Sequence, residues 1–173
     1  MGEYSKALEF NEKALQIREK ALPLNHPDLA TSYNNMGQVY NNIGDYSKAL
    51  EFYEKSLKIR EKALPPNHPD LATSYNNIGL AYYDLGDYLK ALEFYEKSHK
   101  IKERALPPNH PNLATSYNNI GLAYYDLGDY SKALEFYEKS HKIRERALPP
   151  NHPNLATSYN NIGLAIHSSD VVV

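Results

Sequence analysis

Histidine recurs in one short context. His26, His68, His110 and His152 each stand between asparagine and proline, 42 residues apart. Imidazoles could ligate a metal or carry a proton, but ligation needs several donors at about 2 Å from one ion. Side chains one repeat apart are separated by roughly the 10 Å spacing of packed helices. Asn–His–Pro therefore reads as a turn or helix start, and no metal is expected. Ser, His and Asp also recur in every unit without converging. The chain has no cysteine, no Gly-rich phosphate loop and no Gly-x-Ser-x-Gly. The groups that activate a nucleophile or cradle a phosphate are lacking, so neither an enzyme nor a cofactor is expected. What recurs instead is amide chemistry. Asn34–Asn35, Asn76–Asn77, Asn118–Asn119 and Asn160–Asn161 keep the same period, and each side chain offers two donors and an acceptor.

The elements that position these residues follow from the repeat. Residues 65–106 and 107–148 are identical at 39 of 42 positions, differing at Asp70 against Asn112, Leu89 against Ser131 and Lys102 against Arg144. Gly2, Gly44, Gly86 and Gly128 hold the phase along the chain. A period of this length marks a solenoid whose units bury their apolar faces on their neighbours. Leu71, Tyr75, Ile78, Tyr82 and Leu85 alternate spacings of four and three, the stripe of an amphipathic helix. Pro69 suits its first position. Gly86 stops it in the left-handed region and Asp87 caps the next helix. A second stripe, Tyr88, Ala91, Leu92, Tyr95, Ser98, Ile101 and Ala105, runs to Pro107 and Pro108, which cannot continue a helix.

The resulting all-α layout is one solenoid over 1–173. It begins on a B helix (3–22) and runs A 27–43, B 45–64, A 69–85, B 87–106, A 111–127 and B 129–148. A last A helix covers 153–166, and residues 167–173, which abandon the pattern, are expected to be irregular. Gly79 and Ala91 are small where helices A and B must cross, so Gly79→Leu should overpack the crossing by roughly 1–3 kcal/mol.

These residues resemble the tetratricopeptide repeat. Tyr75, Ile78–Gly79, Tyr82, Gly86, Tyr88, Ala91, Tyr95 and Ser98 fall in register with its 34-residue pattern. Helix B is longer by eight residues, about 12 Å of extra helix through Lys100–Leu106. With the IREKAL-type runs 17–22, 59–64, 101–106 and 143–148, NHPDLA and YNN, the repeats look like those of kinesin light chains and nephrocystin-3-like proteins. The resemblance implies a right-handed superhelix with A helices lining a concave groove that takes peptides or protein partners. Positions facing away from helix B would line it: Thr31, Asn34, Asn35, Gln38, Asn41 and Asn42 in one repeat. The next contributes Thr73, Asn76, Asn77, Leu80, Tyr83 and Asp84. The third contributes Thr115, Asn118, Asn119, Leu122, Tyr125 and Asp126, and the last Thr157, Asn160, Asn161 and Leu164. Asp84 and Asp126 favour a basic partner beside an apolar anchor over an acidic tail. The competing reading is that Asn–Asn is only a polar helix face.

Bulk properties narrow the class further. With 19 basic and 21 acidic residues the net charge is −2, which gives no electrostatic footprint for nucleic acid. The 16 tyrosines mostly keep core spacing, so they read as packing rather than base stacking. EKSLKIREK and EKSHKIRER mix charges as a solvated face with helix-surface ion pairs does, and His99 and His141 are expected on that outer face. No secretory leader is apparent, and no apolar run approaches the ~20 residues of a membrane span. A cytoplasmic protein without membrane or nucleic-acid partners is expected. Four periods of 42 place the first B helix in register to follow the last A helix of another copy. Head-to-tail stacking, or a symmetric dimer, through exposed terminal stripes is the alternative to a peptide-binding scaffold.

Overall fold

The computed structural model describes the backbone of residues 2–171 and the side chains of residues 6–171. Among the described residues the secondary structure is eight α-helices and no strand: α1 (Gly2–Ala21), α2 (Pro27–Ile43), α3 (Tyr46–Ala63), α4 (Pro69–Asp84), α5 (Tyr88–Ala105), α6 (Pro111–Asp126), α7 (Tyr130–Ala147) and α8 (Pro153–Val171). The chain divides into two compact units, Met1–Asp87 and Tyr88–Val173. In the first, α1 packs on α2, α2 on α3 and α3 on α4, and α2 also touches α4. In the second, α5 packs on α6, α6 on α7 and α7 on α8. This is an α-solenoid of tandem helical hairpins.

Local chemistry sets the helix ends. The Nδ1 atoms of His26, His68, His110 and His152 accept from the backbone N–H two residues on, at 3.2, 3.1, 3.1 and 3.1 Å. Each satisfies a donor that the first helical turn leaves unpaired, with proline at the next position. At the other end of α2, Gly44 (φ 89°) takes the left-handed conformation. Its N–H bonds to the Asn41 carbonyl, and that of Asp45 to the Tyr40 carbonyl. The Asp45 carboxylate then accepts from Lys48 N–H at 3.2 Å and starts α3, and Asp129 does the same for α7 through Lys132 N–H at 3.1 Å. Helix B ends where Leu64 and Leu148 turn extended before proline.

The core repeats with the chain. Leu29, Ala30 and Met36 of α2 are buried with Leu15 of α1 and Ile59 of α3, and Leu113 and Ala114 of α6 with Ile143 of α7. Buried Ser56 and Ser140 donate to the carbonyls of Ala30 and Ala114 at 2.7 and 2.8 Å, pinning helix B to helix A within a hairpin. The A–B crossing is visible at the counterparts of Gly79. A Cβ on Gly37 would lie 2.5 Å from the Tyr53 ring, and one on Gly121 2.7 Å from the Tyr137 ring. Both tyrosines are almost fully buried.

Several expectations need correction. Residues 167–171 are not irregular: α8 continues through Val171. The residues replacing Leu–Gly–Asp bring neither glycine nor proline, so nothing stops the helix, and Ser168 Oγ lies 2.9 Å from the Tyr125 hydroxyl. Residues 172 and 173 lie outside the described residues. Leu85 and Ala105, placed in the apolar stripes, are exposed, because α4 stops at Asp84 and α5 at Ala105 itself. His99 and His141 are not on the solvated face. They are half-buried, with Nδ1 at 2.8 Å from Ser116 Oγ and 3.0 Å from Ser158 Oγ. Their rings pack on Tyr117 and Tyr159 at 4.3 and 4.5 Å. They occupy the position that Leu15 and Leu57 hold in α1 and α3, where the side chain is buried. The remaining outer face carries the expected ion pairs, Lys13–Glu9, Lys97–Glu93 and Lys139–Glu135, each at 2.6 Å.

Candidate functional site

Helix A of each repeat has one side spent on helix B and another carrying the asparagine pairs. In the first unit Asn77 Nδ2 of α4 donates to Asn34 Oδ1 of α2 at 3.1 Å. In the second, Asn161 Nδ2 of α8 donates to Asn118 Oδ1 of α6 at 2.9 Å. The second asparagine of one repeat thus ties back to the first asparagine of the repeat before it. Spacing alone could not show this, because the partner lies 43 residues away. Four of these amide groups are accordingly engaged between A helices, and what they leave for a ligand is reduced. Asn34, Asn77 and Asn118 are half-buried.

Around these ties the same side stays open. Thr31, Asn35 and Gln38 of α2 and Thr73 of α4 are exposed, as is Leu80. Gln38 Nε2 donates to Asn42 Oδ1 at 3.0 Å. Asn41 Nδ2 reaches Asp84 Oδ2 at 3.4 Å, bringing α2 and the C-terminal end of α4 together. Although Asp84 is exposed as a residue, partial desolvation of its carboxyl raises it above the ordinary aspartate range, and the Asn41 hydrogen bond partly opposes this. In the second unit Thr115, Asp126, Asn160 and Leu164 are exposed, whereas Asn119, Leu122 and Tyr125 are half-buried. The Tyr125 ring stands edge-on to Tyr130 at 5.2 Å, so it also takes part in packing. Asn76 and Tyr83 are half-buried on α4. Within each unit the structure brings the A-helix residues to one side and combines apolar, amide and carboxylate groups there. Such a mixture suits hydrogen bonding to an extended chain and holding an apolar side chain.

The construction defines a class: helical hairpins repeated in tandem, with the A helices side by side. The chain belongs to the tetratricopeptide repeat family, whose model matches residues 1–62 and 70–146. Its repeats are of the kinesin light chain type. A protein of Podosopora anserina described as a kinesin light chain with nearly identical TPR-like repeats superposes with a TM-score of 0.86 at 26% identity, over 98% of this chain and 80% of that one. BtubC (BKLC) from P. vanneervenii gives 0.87 at 27%, over 98% and 67%. RapI in its apo form gives 0.84 at 18%, over 97% of this chain and 58% of its own, a likeness of fold alone. Curated protein sequences contain no match. No helix among the described residues is long and apolar enough to cross a membrane.

Proposed function

We propose that this protein is a non-catalytic, cytoplasmic interaction scaffold that binds peptide segments or protein partners along the A-helix face of its repeats. The observation that carries this reading is the pairing of A helices through Asn34–Asn77 and Asn118–Asn161. These ties fix the spacing of neighbouring helices and leave Asn35, Gln38, Thr73, Leu80 and Asp84 exposed beside them. Preorganised polar groups around an apolar position lower the ordering cost of binding an extended partner. The carboxylates of Asp84 and Asp126 favour a partner carrying Lys or Arg next to an apolar anchor.

A peptide-library screen tests this directly. Binders enriched in a basic residue beside a large apolar one are expected, and Asp84→Ala with Asp126→Ala should weaken them several-fold. Basic–apolar peptides bound with equal strength by the parent and the doubly substituted protein would contradict it. Because the Asp84 carboxyl is raised, it loses its charge at higher pH than an ordinary aspartate, so affinity for a cationic peptide should fall earlier on acidification. Titration calorimetry at stepped pH would check the midpoint, and an affinity unchanged down to the normal aspartate range would exclude Asp84.

Self-assembly is the second reading, favoured by apolar exposure on α1 and α8. Phe10 and Ile17 are each 68% exposed and Tyr159 is 59% exposed, and nothing approaches the position of a Cβ on Gly163. Against it, α1 carries Asn11 and Ala14 where α3, α5 and α7 carry the buried tyrosine and serine. A second copy's α1 could therefore not reproduce the crossing of Tyr53 on Gly37. Sedimentation that is independent of concentration would dismiss this reading.

A further inference from the structure

The eight residues that lengthen helix B build a cleft away from the A-helix face. In the second unit it has a volume of about 350 Å³. Its floor is Leu113 and Tyr117 of α6 and Ile143 of α7, and Pro108 and Asn109 of the α5–α6 loop close one end. Its rim is cationic: Lys139, Lys142 and Arg146 of α7. Lys142, Ile143 and Arg146 all lie in the lengthened part of the helix, so a 34-residue repeat would lack most of this wall. The first unit carries the same construction 84 residues earlier, with Leu24, Asn25, Tyr33, Ile59 and the three lysines 55, 58 and 62 around about 270 Å³.

The charge in these clefts is not balanced from within. Lys139 is paired with Glu135 and lies 5.9 Å over the Tyr117 ring, but Lys142 and Arg146 have no ion pair among the described residues. Glu103 is the one acid in the second cleft's lining. In the first cleft no acid lines the walls, and nearby Glu19 accepts from the Tyr33 hydroxyl at 2.8 Å. A chain with net charge −2 thus concentrates unpaired cations over an apolar, aromatic floor, twice.

We infer that these clefts are a second binding site, distinct from the A-helix face, for an acidic protein segment with a carboxylate next to an apolar side chain. The carboxylate would take the Lys142 and Arg146 donors, while the apolar neighbour covers Tyr117 and Ile143. The floor is too extended and too apolar for a bare anion to fill. Asn109 at the rim offers the partner's backbone an amide.

The probe is a labelled decapeptide alternating Glu and Leu, titrated into the whole protein and followed by amide chemical shifts. Saturable shifts are expected at Asn109, Tyr117, Lys142 and Arg146 and at their first-unit counterparts, weakened at least fivefold in 0.5 M salt as exposed ion pairing requires. Charge removal by Lys142→Gln, Arg146→Gln, Lys58→Gln and Lys62→Gln should weaken binding by about tenfold, with helicity unchanged by circular dichroism. Asp84→Ala with Asp126→Ala should leave it unaltered, which separates this site from the A-helix face. Binding of the Gln/Leu counterpart with equal strength would overturn the inference. So would shifts spread over all charged faces, or retained affinity in the charge-removed protein.

Discussion

At the residue scale, one position shows how a single substitution along the repeat changes chemistry without changing the fold. Leu15 and Leu57 are buried in the first unit, and His99 and His141 stand in their place in the second. The hydroxyls they face change partner accordingly. Ser32 and Ser74 are reached by Arg18 and Arg60 at 2.5 and 2.7 Å, whereas Ser116 and Ser158 meet imidazoles. Burial lowers the His99 pKa, with Lys102 and Lys139 adding to the effect and Glu103 opposing it. The unfolded chain then takes up this proton first, so stability is complete above about pH 6.5 and is lost as pH falls toward the folded value. His99→Leu should remove that acid sensitivity, raising the urea midpoint at pH 5.5 relative to the parent more than at pH 8. An equal change at both values would show that the histidine titrates as if free. Histidine looks like a surface residue beside Lys100 and Lys142, so its burial was hidden in the sequence. The leucines one and two repeats earlier were the signal that could have revealed it.

Among the elements, the hairpin crossing is the point of tightest fit. Gly121→Ala places a Cβ within 2.7 Å of the Tyr137 ring and 3.3 Å of the Ala133 carbonyl, and should cost about 1–3 kcal/mol through overpacking. Gly163 has the same sequence context in α8 but meets nothing, so Gly163→Ala should gain up to about 1 kcal/mol from helix propensity. Chemical denaturation of the two variants checks the contrast, and equal effects would contradict the crossing. Most helix starts and stops were legible because proline, left-handed glycine and capping aspartate are local signals, and so was the stripe apart from Leu85 and Ala105, which are exposed. The course of α8 to Val171 was not, because the sequence departs from the repeat after Ala165, although Ile166–Val171 contains no helix breaker. Nor were the Asn–Asn ties, since the sequence shows that the pairs recur but not that one repeat's second amide reaches the previous repeat's first. The outer cleft was hidden for a similar reason: its cations read as an ion-paired solvated face until the loop residues close over the apolar floor.

For the whole molecule, repetition predicts modular stability. Each unit's energy resides in its hairpins and their nearest-neighbour interfaces. Deleting residues 107–148 joins Leu106 to Pro149 in the context that Leu106–Pro107 already has. The shortened chain should retain its helicity per residue and a single cooperative transition, with the melting point lowered by a few degrees. Loss of cooperative unfolding would show that the repeats are not interchangeable. The family relationship and the period were both readable from the residues, because every repeat restates the same turn, cap and core positions. The proposed role of the A-helix face rests on helices tied at fixed spacing while Asn35, Gln38, Thr73 and Leu80 stay open. Chemical-shift mapping with the best basic–apolar peptide from the library tests this most directly. The account predicts saturable perturbations confined to those A-helix amides and reached only at several-fold higher peptide concentration in Asp84→Ala with Asp126→Ala; perturbations on helix B alone, or unaffected by the two substitutions, would contradict it.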